Sequence, residues 1–79
     1  MATFEEMTEE GLFDELFTGK EMDVFDLLAA GKTNVQIAEI VNITERTVRF
    51  HVSNILKKLG ARNRTEAVVK AIKKGILDF

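Results

Sequence analysis

NITERTVRFHVSNILKKLG, residues 42–60, is bounded by two punctuation marks, Thr44 near its start and Gly60 at its end. A threonine hydroxyl at the N-cap accepts from a backbone N–H, and glycine takes the left-handed conformation that closes a helix. Between them Val48, Val52, Ile55 and Leu59 recur at i, i+4, i+7 and i+11, an apolar stripe down one side. With successive side chains about 100° apart, Arg46, Phe50, Ser53 and Lys57 fall within about 60° of one another on the opposite side. Arg49 sits on the flank of that set. A helix over 44–59, pinned by its apolar edge, therefore turns a basic edge outward.

Working outward, residues 33–41 start with a second capping signal, Thr33 followed three positions later by Gln36. Ile37, Ala38 and Val41 share one face of this short helix, and Asn42 suits a left-handed stop. Only Asn42 and Ile43 separate it from Thr44. A connection that short makes the pair a helix-turn-helix. Upstream, Thr18 and Glu21 form a capping box and Phe17 can staple onto Met22, so a helix runs to Ala30 with Gly31 beyond it. Val24, Leu27 and Leu28 are its candidates for the core. A last helix starts at Asn63 with Glu66, with Thr65 as a rival cap, and stops at Gly75. Ala67, Val68 and Ala71 face the core, leaving Thr65, Val69 and Ile72 on another side, as either a core contact for the N-terminal segment or a two-fold dimer seam.

The bulk numbers suit a small helical domain. The chain has 79 residues, 46% hydrophobic and 30% charged, with no proline, no cysteine and five glycines. Disulfides and thiolate metal sites are excluded. A chain this short buries roughly 60% of its unfolded surface, so self-association would add to a thin stability margin. No signal peptide or membrane span is visible, and a cytoplasmic protein without a membrane partner is the expectation.

The formal net charge of -2 conceals an asymmetry. Residues 1–17 hold six acids and no base, whereas residues 44–74 hold nine bases against Glu45 and Glu66, a local charge of +7. A polyanion responds to charge within a screening length of about 8–10 Å, so the acidic total does not exclude nucleic acid.

The run FTGKEMDVFDLLAAGKTNVQIAEIVNITERTVRFHVSNILKKLGARNRTEAVVKAIKKGI, residues 17–76, resembles the LuxR/FixJ/GerE-type DNA-binding domain of bacterial transcription regulators. The blocks that carry it are Phe17, Thr18 and Glu21; 27–38; 43–60; and NRTEAV, 63–68. The resemblance implies an all-α, four-helix domain over 17–79, with residues 1–16 as an acidic, helical N-terminal extension outside the pattern. It implies that helix 45–59 enters the major groove and that the fourth helix dimerises. Arg49, Phe50 and Ser53 would then face bases, joined by Arg46 at the N-terminal end of the same face. Thr33, Asn34, Thr44, Thr47, Asn54, Lys57 and Lys58 would meet phosphates, and Thr65, Val69 and Ile72 would form the dimer seam. Two positions depart from the family pattern. Phe50 is bulky and apolar, suiting a thymine methyl, and Ser53 is short where relatives carry a longer, often basic side chain.

These readings converge on a stand-alone, homodimeric, sequence-specific DNA-binding transcriptional regulator. The chain is too short for an added sensing domain, so control is expected from expression, partners or the acidic segment. That segment either covers apolar surface, competes with DNA for the basic face, or binds RNA polymerase or another regulator. Two alternatives stand beside this. One is an adaptor or anti-activator pairing with a larger regulator through the last helix. The other is a promoter-reading domain of sigma-factor type, which ordinarily ends a much longer chain. An enzyme is not expected: His51 is the only histidine, beside the core stripe, and Asp23 and Asp26 are a solvated pair. No cofactor or metal is expected.

Overall fold

The computed structural model describes residues 17–77. The acidic extension expected over 1–16 lies outside the described residues. Within them there are four α-helices and no strand: α1 (Gly19–Ala29), α2 (Asn34–Val41), α3 (Glu45–Leu59) and α4 (Arg64–Lys73).

Each helix begins where a side chain can take up its orphan N–H groups. Thr18 and Thr33 form reciprocal capping boxes with Glu21 and Gln36. Thr44 accepts from the Thr47 amide, and Asn63 from the Glu66 amide, so Asn63 is the cap and Thr65 is not. Beyond the four helices the backbone turns left-handed at Gly31, Asn42, Gly60 and Gly75. Asn42 is the one of these that carries a side chain, with φ 57° and ψ 50°. Asparagine tolerates that conformation better than other residues with a Cβ, and it turns α2 into α3 through residues 42–44.

The core forms around α3. Val48 and Ile55 are fully buried and Val52 and Leu59 nearly so, which confirms the predicted stripe. Against it lie Val24, Phe25 and Leu28 of α1, Ile37 and Ala38 of α2, Ala67 and Ala71 of α4, and Phe17. Burying a valine, leucine, isoleucine or phenylalanine side chain stabilises by about 1.5–3 kcal/mol, enough for this small set to hold four short helices. The helices α1 and α2 pack on each other and on α3, whereas α4 packs chiefly on α3. Of the residues expected in the core, Leu27, Val41 and Val68 are only partly buried, whereas Phe25, not among those expected there, is fully buried. Val24, Phe25 and Leu28 together make the i, i+1, i+4 stripe of α1.

Candidate nucleic-acid interface

Because α3 commits Val48, Val52, Ile55 and Leu59 inward, its other side must face out. Arg46, Arg49, Phe50, Ser53 and Lys57 are all exposed, as the helical phase predicts. Phe50 is 61% exposed, with its ring centroid 5.8 Å from that of His51. It is an exposed apolar ring on an otherwise polar and basic helix edge. His51 itself is half-buried.

The charged groups of this face have distinct partners. The Arg49 guanidinium meets Glu45 one turn earlier at 3.0 Å, with both side chains about half open to solvent. Lys58 is engaged differently. Its ammonium donates to Glu21 Oε1 at 2.6 Å and lies 5.6 Å from the centre of the Phe17 ring. It therefore ties the end of α3 to the start of α1.

Glu21 is the buried charged residue of the described core, 3% exposed. Burial pushes its carboxyl up. The hydrogen bond from Lys58, those from the Thr18 amide and hydroxyl, and the Lys58 charge outweigh that and hold it below the ordinary 4.5. Sequence reading gave Glu21 only its capping role. Its position on the Val24, Phe25, Leu28 face was a signal that it would go inside.

Of the residues expected at phosphates, Thr33, Asn34, Thr44 and Thr47 lie at the starts of α2 and α3, and Asn54, Lys57 and Lys58 along the later turns of α3. Thr33 and Thr44 are exposed N-caps, and Thr44 and Thr47 share a hydrogen bond between hydroxyls at 2.9 Å. Asn34, Thr47 and Asn54 are half-buried and Lys57 exposed. Several other bases are occupied within the fold. Arg64 donates to the Lys32 carbonyl, Lys70 to the Gly60 carbonyl, and Glu66 pairs with both Lys70 and Arg62. The hydrogen bond from Lys70 leads the causes that lower the Glu66 carboxyl. Part of the +7 is thus held within the fold, and the exposed bases include Arg46, Arg49 and Lys57 of α3 together with Arg62, Lys73 and Lys74 outside it. Thr65, Val69 and Ile72 are exposed on α4, the latter two 43% and 41%.

No cluster of metal-ligating side chains and no pocket occurs among the described residues, and no described helix is long and apolar enough to cross a membrane. What remains is a convex basic helix edge at a helix-turn-helix, the form of a nucleic-acid-binding domain.

Comparison with known proteins sharpens that class. Residues 15–71 match the family described as bacterial regulatory proteins, luxR family. The chain is 44% identical to the spore germination protein GerE of Bacillus subtilis over 64 residues, covering 81% of this chain and 86% of GerE. It is 47% identical to the transcriptional activator protein SolR of Ralstonia solanacearum over 62 residues, covering 78% of this chain and 26% of SolR. The response regulator protein VraR of Staphylococcus aureus is 43% identical over 63 residues, 80% of this chain and 30% of VraR. The chain belongs to the luxR family of bacterial regulatory proteins, which are regulators and not enzymes. It spans about a quarter of the length of SolR and most of GerE.

Proposed function

We propose that this protein is a sequence-specific DNA-binding transcriptional regulator that acts as a homodimer in the bacterial cytoplasm, with α3 of each subunit in a major groove. The observation that carries this is the division of α3 into a buried aliphatic edge and an exposed edge of Arg46, Arg49, Phe50, Ser53 and Lys57. A major groove about 12 Å wide admits one helix, and long donors near its N-terminal end reach base edges. Arg49 reads a guanine, Phe50 packs on a thymine methyl, and Arg46 and Ser53 complete the base-facing set. Thr33, Asn34, Thr44, Thr47, Asn54 and Lys57 fix register on phosphates. Lys58 contributes there only the charge that Glu21 does not neutralise.

Thr65, Val69 and Ile72 form the two-fold seam, where small and β-branched side chains let two helices approach. The segment 1–16 acts as a separate acidic extension of the domain spanning 17–79. Selection of bound duplexes from a random pool tests the whole reading. An inverted repeat with half-sites about one helical turn apart is the expected product. Absence of enrichment at low salt would instead favour an adaptor that pairs with a larger regulator or with RNA polymerase through α4.

A further inference from the structure

The four helix starts use their acids and amides differently. In α1 and α2 the third helical residue, Glu21 or Gln36, folds back onto the amide of its cap. In α4 Glu66 stands at the same position, and its carboxylate accepts from the Arg62 amide. In α3 that position is Thr47, whose hydroxyl joins Thr44. The first-turn acid of α3 is instead Glu45, one residue into the helix. Capping does not engage it. Its Oε1 lies 3.0 Å from Arg49 Nη1, and its side chain is 47% exposed.

A carboxylate at that place is costly for a helix meant to approach DNA, because it repels phosphates on every sequence. It also sits at the N-terminal end of α3, the end that reaches deepest into a groove, one turn before the arginine of the base-facing set. We propose that Glu45 is a specificity-determining residue that positions the Arg49 guanidinium and selects the base beside the one Arg49 reads. The inference rests on the reading that α3 lies in the major groove.

A free arginine side chain samples many rotamers, and a planar fork held in one orientation loses less freedom when it binds. A glutamate four residues N-terminal to a basic side chain is in the favourable order for such a pair. With Nη1 held by Glu45, the guanidinium still has donors for the O6 and N7 acceptors of guanine. The second carboxylate oxygen of Glu45 remains an acceptor. Beside it, the N4 amino group of cytosine is a matching donor, whereas a guanine or thymine edge presents acceptors and is repelled. On a correct site the carboxylate is thus partnered on both sides; on a random site it is partnered by Arg49 alone and opposes binding.

The test compares wild type, Glu45→Gln, Arg49→Ala and the double variant on the duplex selected from the random pool and on a scrambled duplex, at one salt concentration. Removing the charge from Glu45 is expected to strengthen binding to the scrambled duplex while lowering the ratio of specific to scrambled affinity about tenfold. Repeated selection with Glu45→Gln should lose the preference at the base adjacent to the Arg49 guanine. In the Arg49→Ala background the same change should still lower the ratio, but by less, because only the contact to cytosine is lost there. Should Glu45→Gln shift both duplexes by one factor in either background, Glu45 is a surface ion-pair partner and the proposal is overturned. Should Arg49→Ala itself leave the ratio intact, the docking of α3 fails, and the proposal goes with it for a different and recognisable reason.

Discussion

Lys57 and Lys58 are neighbours in the chain, and their surroundings give them opposite work. Lys57 is exposed on the edge that carries Arg46 and Phe50, whereas Lys58 is bonded to the buried Glu21. Replacing a phosphate contact weakens binding on every sequence, while replacing a base contact relaxes one position. Lys57→Ala is therefore expected to weaken cognate and random duplexes alike and to lower the salt slope by about one. Arg49→Ala should cost about 1–3 kcal/mol on the cognate duplex and far less on a random one. Fluorescence anisotropy at several salt concentrations separates the two, and equal losses on both duplexes for both variants would refute the division. Glu21 governs stability rather than binding. Its carboxyl is held below 4.5 in the folded state, so as the pH falls the unfolded chain takes up that proton first. The stability it supplies is complete above about pH 4.5 and is lost as the pH drops through the lowered value. Glu21→Gln should cost about 1–3 kcal/mol at neutral pH, with the gap from wild type narrowing below pH 4.5 in urea titrations. A gap unchanged between neutral and acid pH would remove this role.

At the level of the helix, the boundaries were legible because they are local. A cap needs a hydroxyl or amide at one residue and a backbone N–H three positions on, and a stop needs one residue that accepts φ > 0. Thr18, Thr33, Thr44 and Asn63, with Gly31, Asn42, Gly60 and Gly75, announce themselves in the sequence and recur in the structure. The phase of α3 was equally readable, since its two edges differ so strongly in polarity. The pairing of Glu21 with Lys58 was not, because the two are 37 positions apart and periodicity carries no information about such a pair. The exchange of Phe25 for Leu27 in the core has a similar cause. Both are apolar and two positions apart, and only the placement of α3 decides which one is enclosed. The turn between α2 and α3 offers a sharp test of the local logic. Asn42→Val puts a β-branched side chain at φ 57° and is expected to destabilise by about 1–2 kcal/mol, while Asn42→Gly stays within about 0.5 kcal/mol of wild type. Thermal unfolding of both would show it; equal melting temperatures would mean that the turn imposes no conformational demand.

For the molecule as a whole, the decisive asymmetry lies between the two sides of α4. Ala67 and Ala71 are completely buried against the core, whereas Val69 and Ile72 remain 43% and 41% exposed. Single exposed apolar residues are ordinary on a protein surface. Thr65, Val69 and Ile72, however, follow one another at i, i+4 and i+7 as an exposed strip one helix wide, the strip proposed above as the dimer seam. Pairing two copies there would join two α3 edges into one reader, and a linked second half-site raises affinity by about 10²- to 10⁴-fold without any new kind of contact. Val69→Asp breaks such a seam at a position that costs the monomer little, because the side chain is not part of the core. The expected outcome is a folded monomer by light scattering, with a melting temperature lowered only by the loss of the partner. Its affinity for an isolated half-site should be unchanged, and its affinity for the inverted repeat should fall by about 10²-fold or more. A variant that stays dimeric with full affinity for the repeat would place the contact elsewhere. A monomer that keeps that affinity would show that the two half-sites are read independently.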